Sequence, residues 1–302
     1  MTTKHRTKIA FLGLGAMGAR MATRLVSGDI DLQVWSRSGV PKEFTSLASH
    51  LVPTPEAAVA GADMAIAMVT DDPASRGIWL DSGALRGMRR GAVAVECSTL
   101  TPTWVAELAR HARHAGVAFI DAPVVGSRPQ AEAGNLIFLA GGDASALDTV
   151  RPTLLRMGSA IHHLGASPAG ALSKLLANAL FTTQVAAVAE IIALARRGRL
   201  DLPTLARTLE ALPVMSPAAK GAMTGMLAGG FTPMFPISLA TKDLGYAVAE
   251  GTATRLHMPM TSAARDVFAR GLESGLSDEN LTAVVKLYAA GHAGLDERKP
   301  KI

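Results

Sequence analysis

Three groups of residues in this sequence have the types and spacing to do chemistry. Gly13-Leu14-Gly15-Ala16-Met17-Gly18 is a GxGxxG run. Such a run lets the backbone turn tightly, approach a pyrophosphate closely and pack a helix against the preceding strand, with the phosphates at the helix N-terminus. Farther on, at the end of the next β-rich run, an NAD site would place a carboxylate for the ribose hydroxyls, but the sequence reads Val34-Trp35-Ser36-Arg37-Ser38. A guanidinium fork between two hydroxyls suits a 2′-phosphate instead, so these residues point to NADPH over NADH. The third group lies in Gly170-Ala171-Leu172-Ser173-Lys174-Leu175-Leu176-Ala177-Asn178, which puts Lys174 and Asn178 at i and i+4 on one helix face. A lysine and an amide facing one way amid Ala and Leu need a reason. Spacing alone leaves open a lysine that snorkels from the helix beside a surface Asn.

The elements that must position these groups are legible as a change of rhythm along the chain. Short β-rich runs at 8–12, 32–35, 64–69, 92–96, 117–120, 136–139 and 161–164 alternate with helical stretches, which predicts a mostly parallel sheet. The unbroken apolar run Met64-Ala65-Ile66-Ala67-Met68-Val69 suits a strand covered by helices on both faces. Thr54-Pro55-Glu56 and Thr101-Pro102 each read as a hydroxyl cap followed by proline in the first helical turn. After position 164 the pattern becomes helical, over about 168–197, 200–212, 259–273 and 278–290, with a loop at 229–236 before a helix through Lys242 and Asp243. The expected architecture is therefore an α/β Rossmann domain with a doubly wound sheet over 1–165, an all-α domain over 166–295 and a tail over 296–302.

In an open α/β sheet ligands gather beyond the carboxyl ends of the strands, so Val69, Thr70 and Asp71 after the third run, and Ser98 and Thr99 after the fourth, should border the cofactor, Thr99 toward its nicotinamide. Their hydroxyls serve equally well as turn or cap groups. Asp121-Ala122-Pro123-Val124-Val125-Gly126-Ser127 closes another strand and should face the same cleft.

Composition narrows the function classes. A chain of 302 residues with 49% hydrophobic and 18% charged residues can bury a substantial core. The lone Cys97 permits no intrachain disulfide and fits a reducing, cytoplasmic setting, where it reads as a buried small hydrophobe. The net charge of +5 is scattered and aromatics are few, which argues against nucleic acid. No uninterrupted apolar stretch reaches the ~20 residues of a membrane span. The pairs His111/His114 and His162/His163 lack an accompanying carboxylate or thiol cluster, so no metal is expected.

Taken together, Gly13 to Gly18, Asp121 to Ser127, Gly170 to Asn178 and Lys242-Asp243 resemble the β-hydroxyacid dehydrogenase family, in order and spacing, over nearly the whole chain. The stretch at 121–143 looks most like the glyoxylate and succinic semialdehyde reductase branch. The resemblance implies a homodimeric, nicotinamide-dependent oxidoreductase acting on a small aldehyde, keto acid or hydroxy acid. It also implies that Lys174 is the general acid in reduction and the base in oxidation, that Asn178 orients it or the substrate, and that Lys242 lies near the cofactor with Asp243 fixing it. Val125, Gly126 and Ser127 would hold substrate, but Val125 replaces the family's serine, which removes a hydrogen-bond donor and adds apolar surface. Residues 223–235, rich in Met and Phe, would line a pocket or simply pack the core. Imine reductases share the architecture but usually carry Asp or Tyr at the lysine position, so Lys174 favours carbonyl reduction. A non-catalytic NADPH sensor and a sugar-acid decarboxylase fit less well, the latter because the chain is too short for the helical domain of those enzymes.

Overall fold

The computed structural model describes residues 6–289. The chain begins β1 (Thr7–Leu12), α1 (Gly18–Thr23), β2 (Ile30–Trp35), α2 (Pro55–Val59), β3 (Met64–Ala67), α3 (Asp72–Arg76), α4 (Ala84–Gly87), β4 (Val93–Glu96), α5 (Pro102–Ala115), β5 (Ala118–Asp121). It continues β6 (Val124–Val125), α6 (Arg128–Ala133), β7 (Leu136–Gly142), α7 (Ala144–Met157), β8 (Gly158–His163), and then α8 (Ala169–Arg197), α9 (Leu202–Glu210), α10 (Pro217–Ala228), α11 (Ile237–Ala253) and α12 (Pro259–Glu273). Short 3-10 helices occupy Thr45–His50 and Leu281–Tyr288, and a π turn follows α3 at Gly77–Asp81.

The sheet runs β2-β1-β3-β4-β5-β7-β6, with β8 beside β7. Strands β1 to β5 pair in parallel, β7 is antiparallel to β5 and β6, and β8 is parallel to β7. This is the mostly parallel, doubly wound sheet expected. Period-two alternation distributes its side chains between two apolar layers. Ile9, Phe11, Ile66, Val93 and Val95 enter one layer, while Ala10, Leu12, Ala65, Ala67 and Ala94 enter the other. The small residues of the second face leave room for Trp79 and Trp104, which are buried against it. Thr54 and Thr101 cap α2 and α5 as expected, accepting from the Ala57 and Trp104 N–H groups.

Two compact units, Met1–Leu176 and Ala177–Ile302, divide inside α8 rather than at its start. By length and composition α8 is apolar enough to cross a bilayer, yet half of that stretch is buried within the protein. In the second unit Met223, Met226, Ile237, Leu244, Phe268 and Val284 are buried, as are Val185, Val188, Ala189 and Ile192 of α8.

Two sequence expectations change. The helix expected at 278–290 is a 3-10 helix that starts at Leu281, because Asn280 forms a bridge with Pro236 and its side-chain oxygen accepts from the Phe235 N–H at 3.0 Å. The β-branched Thr282, Val284 and Val285 also disfavour an α turn there. Strand β6 escaped the sequence reading because two residues are too few to show a period. The expected tail at 296–302 lies outside the described residues.

Candidate functional site

The three glycines of the GxGxxG run have three different surroundings. Gly13 adopts φ +101°, and a Cβ there would come within 2.4 Å of the Met68 carbonyl oxygen. Gly18 packs α1 onto the turn so closely that a Cβ would lie 2.0 Å from the Gly13 oxygen. Gly15, between them, is exposed and has nothing within 4 Å of its Cβ position. The first and third glycines are therefore fixed by the protein itself, and the middle one leaves a bare backbone facing solvent, which is the cradle a dinucleotide pyrophosphate needs. Leu14 is buried, while Ala16 is exposed and Met17 half-buried.

The end of β2 lies beside this turn, since the Gly13 N–H donates to the Trp35 oxygen at 2.8 Å. Ser36 is half-buried and Arg37 and Ser38 are exposed, in a turn closed by the Gly39 N–H on the Ser36 oxygen. A guanidinium thus stands where an NAD-binding chain would present a carboxylate.

Beyond β3 and β4 the expected residues divide by role. Asp71 caps α3, its carboxylate accepting the Ala74 N–H at 2.9 Å. Ser98 is buried and accepts the Val69 N–H at 2.7 Å, so its hydroxyl is committed to structure. Asp72 accepts from both the backbone and hydroxyl of Thr101, at 2.9 and 2.6 Å, which ties the two turns together. Thr70 stays exposed and Thr99 half-buried at this edge.

The end of β5 is joined to α8 by Asp121. This side chain is fully buried, and its Oδ2 accepts the Ala171 N–H at 2.8 Å in the first turn of α8. Only glycine fits around it: a Cβ at Gly141 would approach Asp121 Oδ1 to 2.6 Å, and one at Gly170 would approach the Leu139 oxygen to 2.3 Å. Burial raises the Asp121 carboxyl to about 6, against hydrogen bonds from Ser167 and from the backbone at Ala171 and Gly170 that favour its charged form. The consequence is that Lys174, one turn along and half-buried, is held to the same sheet edge as the glycine turn. Val125 is half-buried on β6, paired with Ile137. Gly126 is exposed at φ +123°, and Ser127 caps α6, its N–H donating to Gln130 Oε1 at 2.9 Å.

In the second unit, Asn178 is not a surface amide. It is 7% exposed and its Nδ2 donates to Asp243 Oδ2 at 2.6 Å. Asp243, itself buried, ion-pairs with Lys242 through its other oxygen at 2.9 Å, and the Lys242 ammonium lies 4.7 Å from the Tyr246 ring centroid. Met223 and Met226 are core residues, whereas Met234 is exposed. Among the described residues no His, Cys, Asp and Glu groups cluster as a metal site would require.

Sequence reading passed over Glu96 and gave Asp121 no role of its own. The available signal for both was a carboxylate closing an otherwise apolar strand.

Residues 8–165 match the NAD-binding domain of 6-phosphogluconate dehydrogenase, and residues 168–288 match the NAD-binding region of NADP-dependent 3-hydroxyisobutyrate dehydrogenase. The chain is 34% identical to the NAD-dependent L-serine dehydrogenase of Pseudomonas aeruginosa, over 93% of this chain and 97% of the relative. The chain belongs to the β-hydroxyacid dehydrogenase family. Another member, the chloroplastic glyoxylate/succinic semialdehyde reductase 2 of Arabidopsis thaliana, is 29% identical over 93% of this chain and 79% of its own length. The solved 3-hydroxyisobutyrate dehydrogenase of Mycobacterium tuberculosis, with L-serine, superposes with a TM-score of 0.86 at 30% identity, covering 94% of this chain and all of that one. An imine reductase from Pseudomonas sp. shares the fold at 19% identity and a TM-score of 0.60, over 93% of this chain and 99% of that one. As a member of the β-hydroxyacid dehydrogenase family, this protein is an oxidoreductase with a nicotinamide-cofactor domain, acting on CH–OH groups.

Proposed function

We propose that this protein reduces a small aldehyde or keto acid to the hydroxy acid with NADPH, Lys174 acting as proton donor and Asn178 as its orienting partner. The observation that carries this reading is the Asp121 tether, which holds the Lys174 helix to the sheet edge that also bears the Gly15 cradle. When bound, the nicotinamide supplies the hydride. The carbonyl oxygen then gathers negative charge, and an ammonium at that oxygen both stabilises the charge and delivers the proton. In the reverse direction the neutral amine takes the hydroxyl proton. Asn178 donates its amide hydrogen to Asp243, which fixes the amide plane and turns its carbonyl away from that carboxylate. Gly126 and Ser127 offer backbone and hydroxyl donors to a substrate carboxylate, and Val125 offers apolar surface to the substituent beside it.

The preference for NADPH rests on Arg37 and on the absence of a carboxylate among residues 36–38; Lys242 is assigned to the cofactor as well. The family relatives supply the substrate candidates. Oxidation of NADPH and NADH should be followed with glyoxylate, succinic semialdehyde, the semialdehyde of 3-hydroxyisobutyrate and a cyclic imine, and NADP⁺ and NAD⁺ reduction with L-serine. Turnover of an acid with NADPH is expected, and Arg37→Ser should raise KM for NADPH about tenfold or more while leaving NADH unchanged, as loss of a charge-assisted contact requires. Equal use of both cofactors by the parent protein would sink the 2′-phosphate assignment. Activity on the imine alone would favour imine reduction, the second reading that Val125 supports, and would remove the proton-donor role from Lys174.

We also assign the protein to a reducing, cytoplasmic compartment and to a homodimer that needs neither nucleic acid nor membrane. Buried Cys97 and the exposed leucines of α8 support these two assignments respectively.

A further inference from the structure

Glu96 closes β4, a central strand, and is 1% exposed with no cation bonded to it among the described residues. Three donors face it. Its Oε2 accepts the Ser75 hydroxyl at 2.7 Å and the Trp79 indole N–H at 2.9 Å, and its Oε1 accepts the Ser98 N–H at 3.0 Å. Ser75 in turn accepts the Trp104 indole N–H at 3.0 Å, which leaves its own hydrogen for Glu96. Ser98 accepts the Val69 N–H at 2.7 Å. Burial pushes the Glu96 carboxyl above the ordinary range, while the bonds from Ser98, Ser75 and Trp79 act to keep it ionised. One carboxylate thus gathers α3, the π turn, α5 and both turns after β3 and β4.

Nothing in the hydride chemistry uses this group, and a purely structural network could have been built from apolar side chains at lower desolvation cost. What it fixes is specific: through Ser98 it sets where Val69 stands relative to Thr99, and those two turns are the ones assigned to the cofactor. We propose that Glu96 is a positioning residue for the dinucleotide, its carboxylate locking the turns after β3 and β4 into one binding surface through Ser98 and Val69. The proposal rests on the cofactor reading above.

Glu96→Gln keeps the shape but places an amide N–H₂ against donors, so one bond of the set is lost. Dissociation constants for NADPH and NADH are measured by fluorescence titration, alongside melting temperature and the KM of the best carbonyl substrate at saturating cofactor. The variant is expected to fold and to bind the preferred cofactor about tenfold more weakly, the scale of one lost hydrogen bond to a charged group, with substrate KM within about twofold. Ser98→Ala should weaken the cofactor similarly, and the double variant should be no weaker than the worse single one, because both cut the same connection. Parent-like cofactor affinity in Glu96→Gln, or fully additive losses, overturns the proposal. If Glu96→Gln does not fold, Ser98→Ala decides: weaker cofactor binding with unchanged substrate KM supports the role, and unchanged binding overturns it. A parent protein that binds neither dinucleotide sinks the cofactor reading itself, and this inference with it.

Discussion

Lys174 and Asn178 share a helix face yet are held by different means. Lys174 is half-buried on a turn anchored through Asp121, while Asn178 is buried and committed to Asp243. If Lys174 is the proton donor, Lys174→Ala should lower kcat about 10²- to 10⁴-fold, the usual contribution of general acid catalysis, with cofactor affinity kept within about threefold. Steady-state kinetics paired with cofactor titration separates the two. A loss confined to KM would instead mark a lysine that only holds the substrate. That Asn178 shares a helix face with Lys174 was legible from the four-residue spacing. Its bond to Asp243 was not, because 65 residues separate them and no period links two helices so far apart.

At the level of elements, the turn between β1 and α1 makes opposite demands on neighbouring glycines. Gly18→Ala would drive a methyl group into the Gly13 carbonyl, and a loss of about 3 kcal/mol or more is expected in denaturant unfolding, at the upper end of overpacking costs. Gly15→Ala meets nothing, so its stability should stay within about 0.5 kcal/mol of the parent protein while its affinity for the dinucleotide falls about tenfold. A Gly15→Ala protein with undiminished affinity would mean that the pyrophosphate does not lie there.

The junction of β5 with α8 carries a pH signature. The folded Asp121 carboxyl, at about 6, binds its proton more tightly than the unfolded one at 3.8, so ionisation costs the folded state stability as pH rises between those values. The contribution is fully present below about pH 4, lost by about pH 6 and flat beyond. The two-unit gap corresponds to about 3 kcal/mol at most. Asp121→Asn lacks this titration, so it should gain on the parent protein by about 2 kcal/mol between pH 4 and pH 7 in urea unfolding. Parallel stability curves for the two proteins would show that Asp121 stays ionised throughout.

For the molecule as a whole, α8 exposes a stripe of Leu172, Leu176, Leu180, Ile191 and Leu194, with Leu180 68% and Leu194 73% accessible. Their spacing puts them on one face of the helix, and exposed large apolar side chains along one face suit an association surface. A second copy of this chain is the partner assigned above. Sedimentation should give a dimer, and Leu180→Arg should shift it to monomer without lowering helix content by circular dichroism. A parent protein that sediments as a monomer at every concentration would remove the dimer assignment.

The sequence by itself determined the order of all strands but β6, the switch to an all-helical second half and the glycine run that opens α1. These follow from local steric rules: period two or 3.6 for the elements, proline and threonine at helix starts, and glycine where backbones must come close. Tertiary structure alone decided which carboxylates serve which helix. Asp121 reaches Ala171 across 50 residues, Glu96 collects donors from Ser75 on α3, Trp79 in the π turn and Ser98 after β4, and Asp243 claims the amide of Asn178. A buried carboxylate must find whatever donors the folded chain brings to it, and that choice is fixed by packing between segments distant in sequence rather than by any repeat within them.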